Sequence, residues 1–136
     1  MSQRIVPFIG YEDAAGAIEW LERAFGFREH SDQRHEENGT ITHAELELDG
    51  VTIYLSTPAG YASPRTLRSE SESARRAYDN PWVIDGHFVD LEAHYEQARA
   101  AGATILREPG DPGHGHRTYT AEDPEGHRWM FGQRVG

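Results

Sequence analysis

Apolar residues return every third or fourth position from Ala14 to Phe25: Ala14, Ala17, Ile18, Leu21, Ala24 and Phe25. That spacing puts them on one face of an α-helix. Asp13 stands before the stripe, where a side-chain oxygen caps free N–H groups, and Gly26 follows it, where a left-handed backbone is needed. A similar pattern returns later. Asp90 precedes Leu91, His94, Tyr95, Ala98 and Ala101, and Gly102 closes it. Helices are predicted near residues 13–25 and 90–101. Each follows a strand-like run, Arg4 to Ile9 in one case and Pro81 to Val89 in the other. From Thr40 to Leu48 the period drops to two, with Ala44, Leu46 and Leu48 on one face and His43, Glu45 and Glu47 on the other.

The turn Asp49-Gly50 leads into an apolar strand, Val51 to Ser56, and the turn Asp123-Pro-Glu-Gly126 leads into His127 to Gly132. The interval between Asp13 and Asp90 matches that between Gly50 and Gly126 to within one residue. One unit is therefore used twice. Each half reads strand, helix, then two or three strands, giving modules of about 4–57 and 81–133 within one domain, 1–136. The linker, 58–80, is rich in Ser, Arg and Ala, with a short helix expected at Ser71 to Tyr78. A plain surface connection is one reading of it. A flap over a groove, with Tyr61 and Arg65 as contacts, is the other.

Composition narrows the function classes. The formal charge of -10 opposes binding to phosphate backbones or anionic membranes, so neither nucleic acid nor membrane is an expected partner. No apolar run is long enough to span a bilayer, and Met1 to Ile9 lacks the apolar core of a secretion signal. The absence of cysteine excludes disulfides, thiolate metal sites and a thiol nucleophile, and fits a cytoplasmic protein.

The doubled unit resembles the vicinal oxygen chelate superfamily, which includes glyoxalase I, extradiol dioxygenases, and fosfomycin- and bleomycin-resistance proteins. The likeness rests on Tyr11-Glu-Asp13, Trp20 through Phe27, His43-Ala-Glu-Leu46, Asp90 through Tyr95, Ala101-Gly102-Ala103, and Asp123 through Trp129. It implies an α+β fold: two βαβββ modules forming a curled mixed sheet around a groove, with helices on the outer face. It also implies where metal-using members place their ligands. Those places are seven residues before each helix aspartate, which are Val6 and Val83, and four past each turn glycine, which are Tyr54 and Met130. Such a donor set offers an ion one phenol and no imidazole or carboxylate, so no metal and no cofactor is expected there. With those positions facing the groove, Ile5, Pro7, Ile9, Ile53, Leu55, Trp82, Ile84, Phe88, Trp129 and Phe131 face the helices as core.

The expected ligand-binding residues are Phe8, His43, Glu45, Tyr54, Asp85, His87 and Met130. Asp85 and His87 share a strand face, and a carboxylate beside an imidazole is also a candidate acid/base pair. The resemblance implies a bleomycin-resistance-like protein whose groove binds an aromatic or cationic small molecule, and a homodimer. Two enzyme readings stand beside it. One is a metal-dependent lyase, isomerase or dioxygenase with a displaced site at His43 and His87 with Glu45 or Asp85. The other is a metal-free acid/base enzyme using Asp85 and His87. His114-Gly-His116 reads as a mobile loop. His30, His35, His94 and His127 read as solvated, and Glu29, Asp32, Glu36 and Glu37 as a solvated turn region.

Overall fold

The computed structural model describes residues 5–71, 81–84, 90–111 and 115–134, with only the main chain described at 81–84. The chain divides into two compact units, Met1–Ser63 and Pro64–Gly136. Each is an α+β layer with its own sheet.

In the first unit β1 (Phe8–Gly10) leads to α1 (Ala14–Phe25), and β2 (Arg28–Glu29), a 3-10 turn (Ser31–Gln33) and β3 (His35–Glu37) follow. The long strands β4 (Thr40–Leu48) and β5 (Val51–Ser56) complete it. The strand order is β1-β5-β4-β2, with β3 also pairing on β4. β1 runs parallel to β5 and the other pairs are antiparallel. The helix forms as its pattern predicts. Asp13 accepts from the Gly16 N–H, and Gly26 takes a φ of 81°. Ile18, Leu21, Ala24 and Phe25 are buried together with Ile9, Ala44, Leu46, Ile53 and Leu55, the inward set of the three main strands. Two hairpins close on two-residue turns, Asn38-Gly39 and Asp49-Gly50, with positive φ at all four residues. That geometry follows the right-handed twist of the strands it joins.

In the second unit α2 (Pro64–Arg68) precedes β6 (Pro81–Ile84), then come α3 (Leu91–Ala100), β7 (Thr104–Gly110), β8 (His116–Glu122) and β9 (Arg128–Arg134). The order β6-β9-β8-β7 repeats the first plan, again with a parallel first pair. Asp90 caps α3 through the Ala93 N–H. Under the helix lies an aromatic layer. Trp129 and Phe131 are stacked, and Tyr119 and His94 lie against Phe131. Burial pushes the Tyr119 phenol far above its ordinary value, so it stays protonated.

Several expectations are corrected. Ile5, assigned to the core, is 82 % exposed, because regular pairing of the first strand begins only at Phe8. Of the expected solvated turn region, Asp32 lies in an exposed 3-10 turn and Glu36 and Glu37 are exposed, but Glu29 and the pair Glu36 and Glu37 belong to short strands rather than to a turn. The region's cross-link is Arg34, which donates to both carboxylate oxygens of Glu29 at 2.7 and 2.8 Å. A helix occupies Pro64–Arg68 in the linker, while most of Ser71 to Tyr78 lies outside the described residues. Glu108, Pro109 and Gly110 belong to β7, whose irregular register absorbs the proline and glycine. His94 and His127 are not solvated. His94 shares a hydrogen bond with the Tyr119 hydroxyl, and His127 is buried with its main-chain N–H on Asp123.

Candidate functional site

The sheet face of the first unit opposite α1 gathers four of the predicted ligand residues. Strand alternation sends Ala44, Leu46, Ile53 and Leu55 into the core, so His43, Glu45 and Tyr54 must point the other way. Register does the rest. Glu45 pairs with Tyr54 across β4 and β5, and Phe8 pairs with Tyr54 across β1 and β5. Three rings meet there. Phe8 stands edge-on to Tyr54 and to His43, each at 5.8 Å, and His43 lies 4.6 Å from Tyr54. The His43 Nε2 is 3.0 Å from Glu45 Oε2, and Phe8 is 53 % exposed.

The face extends beyond the predicted set. His35 on β3 is the register partner of His43, with ring centroids 6.0 Å apart. Beside it, His30 Nε2 lies 3.0 Å from Glu47 Oε1. That hydrogen bond holds the Glu47 carboxyl below its ordinary range, helped by the Gly50 backbone N–H and Arg28. The alternating run from Thr40 gave His43, Glu45 and Glu47 away in sequence. His30 and His35 needed the pairing of the short strands β2 and β3, which have no run long enough to show a period.

The remaining predicted residues belong to the second unit or lie outside the described residues. Met130 is half-buried on β9, opposite Val83 on β6 and Thr120 on β8. Thr118 and Thr120 are buried on β8, alternating with the core residues Tyr119 and Ala121. Among the described residues the Thr118 hydroxyl has no hydrogen-bond partner. Asp85 and His87 lie outside the described residues, as does His114; His116 opens β8.

The contacts read as a possible flap divide between the units. Tyr61 packs against Gly10, where a Cβ would come within 2.8 Å of its ring. Arg65 and Arg68 hold the Asp123–Gly126 turn. The Arg65 main-chain N–H donates to Glu125 O at 2.9 Å, Arg65 Nη1 to Pro124 O at 3.1 Å, and Arg68 Nη2 to Gly126 O at 2.8 Å. Arg68 and Arg128 also meet Glu122, at 3.3 and 3.1 Å. Burial nevertheless raises the Glu122 carboxyl, against the pull of Arg68. A carboxyl raised in the folded state favours folding below its unfolded pKa. It loses that contribution as pH rises through the folded value.

The donor chemistry does not fit a metal at the positions implied by the resemblance. Tyr54 is the register partner of Phe8 across the first parallel pair, and Met130 is the register partner of Val83 across the second. No group of three or more His, Asp or Glu among the described residues is arranged to hold an ion. No described helix is long and apolar enough to cross a membrane.

Known proteins share this plan. The chain is 30 % identical over 129 residues to an uncharacterized protein of Mycobacterium bovis, covering 95 % of this chain and 82 % of that one. A Mycobacterium tuberculosis relative matches at the same identity over 73 % of its length. Among solved structures, TioX from Micromonospora sp. ML1 is 28 % identical, with a TM-score of 0.70 and 98 % of each chain covered. Glyoxalase I from Zea mays, at 17 % identity and a TM-score of 0.66, covers 95 % of this chain and 43 % of its own, and shares the fold. A family profile matches residues 4–131, and by that match the chain belongs to the Glyoxalase/Bleomycin resistance protein/Dioxygenase superfamily.

Proposed function

We propose that the chain is a small-molecule-binding protein of the bleomycin-resistance type. It works without a metal at the positions its metal-using relatives employ, and it takes an aromatic or cationic ligand. The observation that carries this reading is the face of Phe8, Tyr54 and His43 with Glu45 beside them. Edge-on rings offer flat apolar surface with negative π faces, and an adjacent carboxylate favours a cation. Phe8 stays more than half exposed although it is large and apolar, as a contact surface requires.

The test is a fluorescence titration with N-methylquinolinium, quinoline and 2-naphthoate. The cation should bind most tightly and the anion least. Tyr54→Ala should weaken the cation about tenfold, and Glu45→Gln should erase its advantage over quinoline. Absence of saturable binding by all three, or binding that ignores Tyr54→Ala, defeats the reading.

We also propose a homodimer. β1 ends the strand order of its sheet, and the exposed Ile5 lies next to it in the chain. Sedimentation should give twice the chain mass; a monomer at high concentration counts against it.

A further inference from the structure

We infer that His35 and His43 form a two-imidazole site for a divalent late transition ion such as Zn²⁺ or Ni²⁺. The site uses none of Val6, Tyr54, Val83 or Met130 as a donor; it shares His43 and Glu45 with the ligand face proposed above, but metal uptake does not require that ligand. The two histidines are cross-strand partners in the β3–β4 hairpin. Directly paired residues have Cβ atoms about 5 Å apart, so their side chains rise together from one face.

The spacing suits chelation. An ion about 2 Å from one nitrogen of each ring places the ring centroids roughly 5–6 Å apart. Here they are 6.0 Å apart, with the planes inclined by 59°. Small side-chain rotations close the remaining difference. His35 is exposed and His43 partly so, so an ion reaches them without opening the fold.

Glu45 prepares one of the two rings. Its carboxylate lies 3.0 Å from His43 Nε2 and accepts a proton held there. The Nδ1 lone pair is then free to ligate, and the ring is fixed and made more basic. Carboxylate–imidazole support of this kind recurs behind metal-bound histidines. Water fills the other coordination positions, so affinity is modest, on the order of micromolar for a chelate lacking a third protein ligand. The Asn38-Gly39 turn sets the pairing as far as Glu36 with Ile41, and a register shift between Glu36 and His35 then brings His35 opposite His43.

The experiment is isothermal titration of the full chain, free of any histidine tag, with zinc chloride and separately with nickel chloride. Wild type should take up one ion per chain. His35→Ala, at an exposed position, should keep the fold by circular dichroism and weaken binding tenfold or more. His43→Ala should do the same. Glu45→Gln should weaken it less, and His116→Ala should leave it unchanged. The assignment is overturned if His35→Ala binds like wild type, if His116→Ala abolishes binding, or if nothing saturates up to millimolar metal. Failure of the aromatic-cation titration with normal zinc uptake would sink only the ligand reading.

Discussion

Asp123→Ala should cost the protein about 3–5 kcal/mol, because it orphans several buried donors at roughly 1–3 kcal/mol each. Asp123 is only 4 % exposed and accepts three hydrogen bonds. The main-chain N–H groups of Glu125 and His127 reach Oδ1, and the Trp129 indole N–H reaches Oδ2, all at 3.0 Å. Alanine leaves these donors without their acceptor, including the ring N–H of a fully buried tryptophan. The turn into β9 and the aromatic layer under α3 loosen together. Asn should cost less, since one of its atoms can still accept. Urea unfolding followed by tryptophan fluorescence reads the loss directly, and a drop below about 1 kcal/mol would show that the carboxylate is not a keystone.

Gly126→Ala and Gly50→Ala should have unequal costs, although the two glycines are equivalent in the repeat. Both have positive φ, 89° and 85°, so each alanine carries backbone strain of about 1–2 kcal/mol. Around Gly50 there is open space. At Gly126 a Cβ would come within 2.7 Å of the Arg65 main-chain nitrogen and would also strike the Arg68 guanidinium. That main-chain nitrogen is held by its hydrogen bond to Glu125 and cannot yield as a side-chain tip can. We expect about 3 kcal/mol or more at Gly126 and about 1 kcal/mol at Gly50. Equal losses in thermal melts would mean that α2 does not rest on the turn.

The fold was legible where a period runs long enough to be read. The helix stripe from Ala14, the alternation from Thr40 and the matching turn glycines carry the plan of both units, and the observed caps fall on Asp13, Gly26 and Asp90. The short strands β2 and β3 have no such signal. Their pairing is imposed by β4 and by the Asn38-Gly39 turn. Ile5 shows a related limit, because an apolar residue ahead of a strand is buried only if the pairing reaches it. Within the site, the face shared by His43, Glu45 and Tyr54 follows from strand parity alone. That Phe8, and not Val6, stands opposite Tyr54 depends on the register of a parallel pair, which is set by main-chain hydrogen bonds between distant segments. His94 illustrates the converse, since a polar residue on an amphipathic helix settles onto Tyr119 and Phe131 once the sheet is beneath it.

The open tip of the β3–β4 hairpin gives this surface room to evolve. No atom outside the immediate chain neighbours comes within 4 Å of a Cβ built on Gly39. Lengthening the loop there carries only a slowly growing entropic cost, about 0.6 kcal/mol for each doubling. An insertion at Asn38-Gly39 would extend the hairpin beyond His35 and His43 while leaving Ala44, Leu46 and the residues behind them in place. The Asp49-Gly50 turn is open in the same way, but its repeat equivalent Asp123–Gly126 is not, because α2 already leans on that turn. Of the two equivalent turns at Gly50 and Gly126, the first is therefore the one in which descendants can accept a longer loop without first displacing a helix.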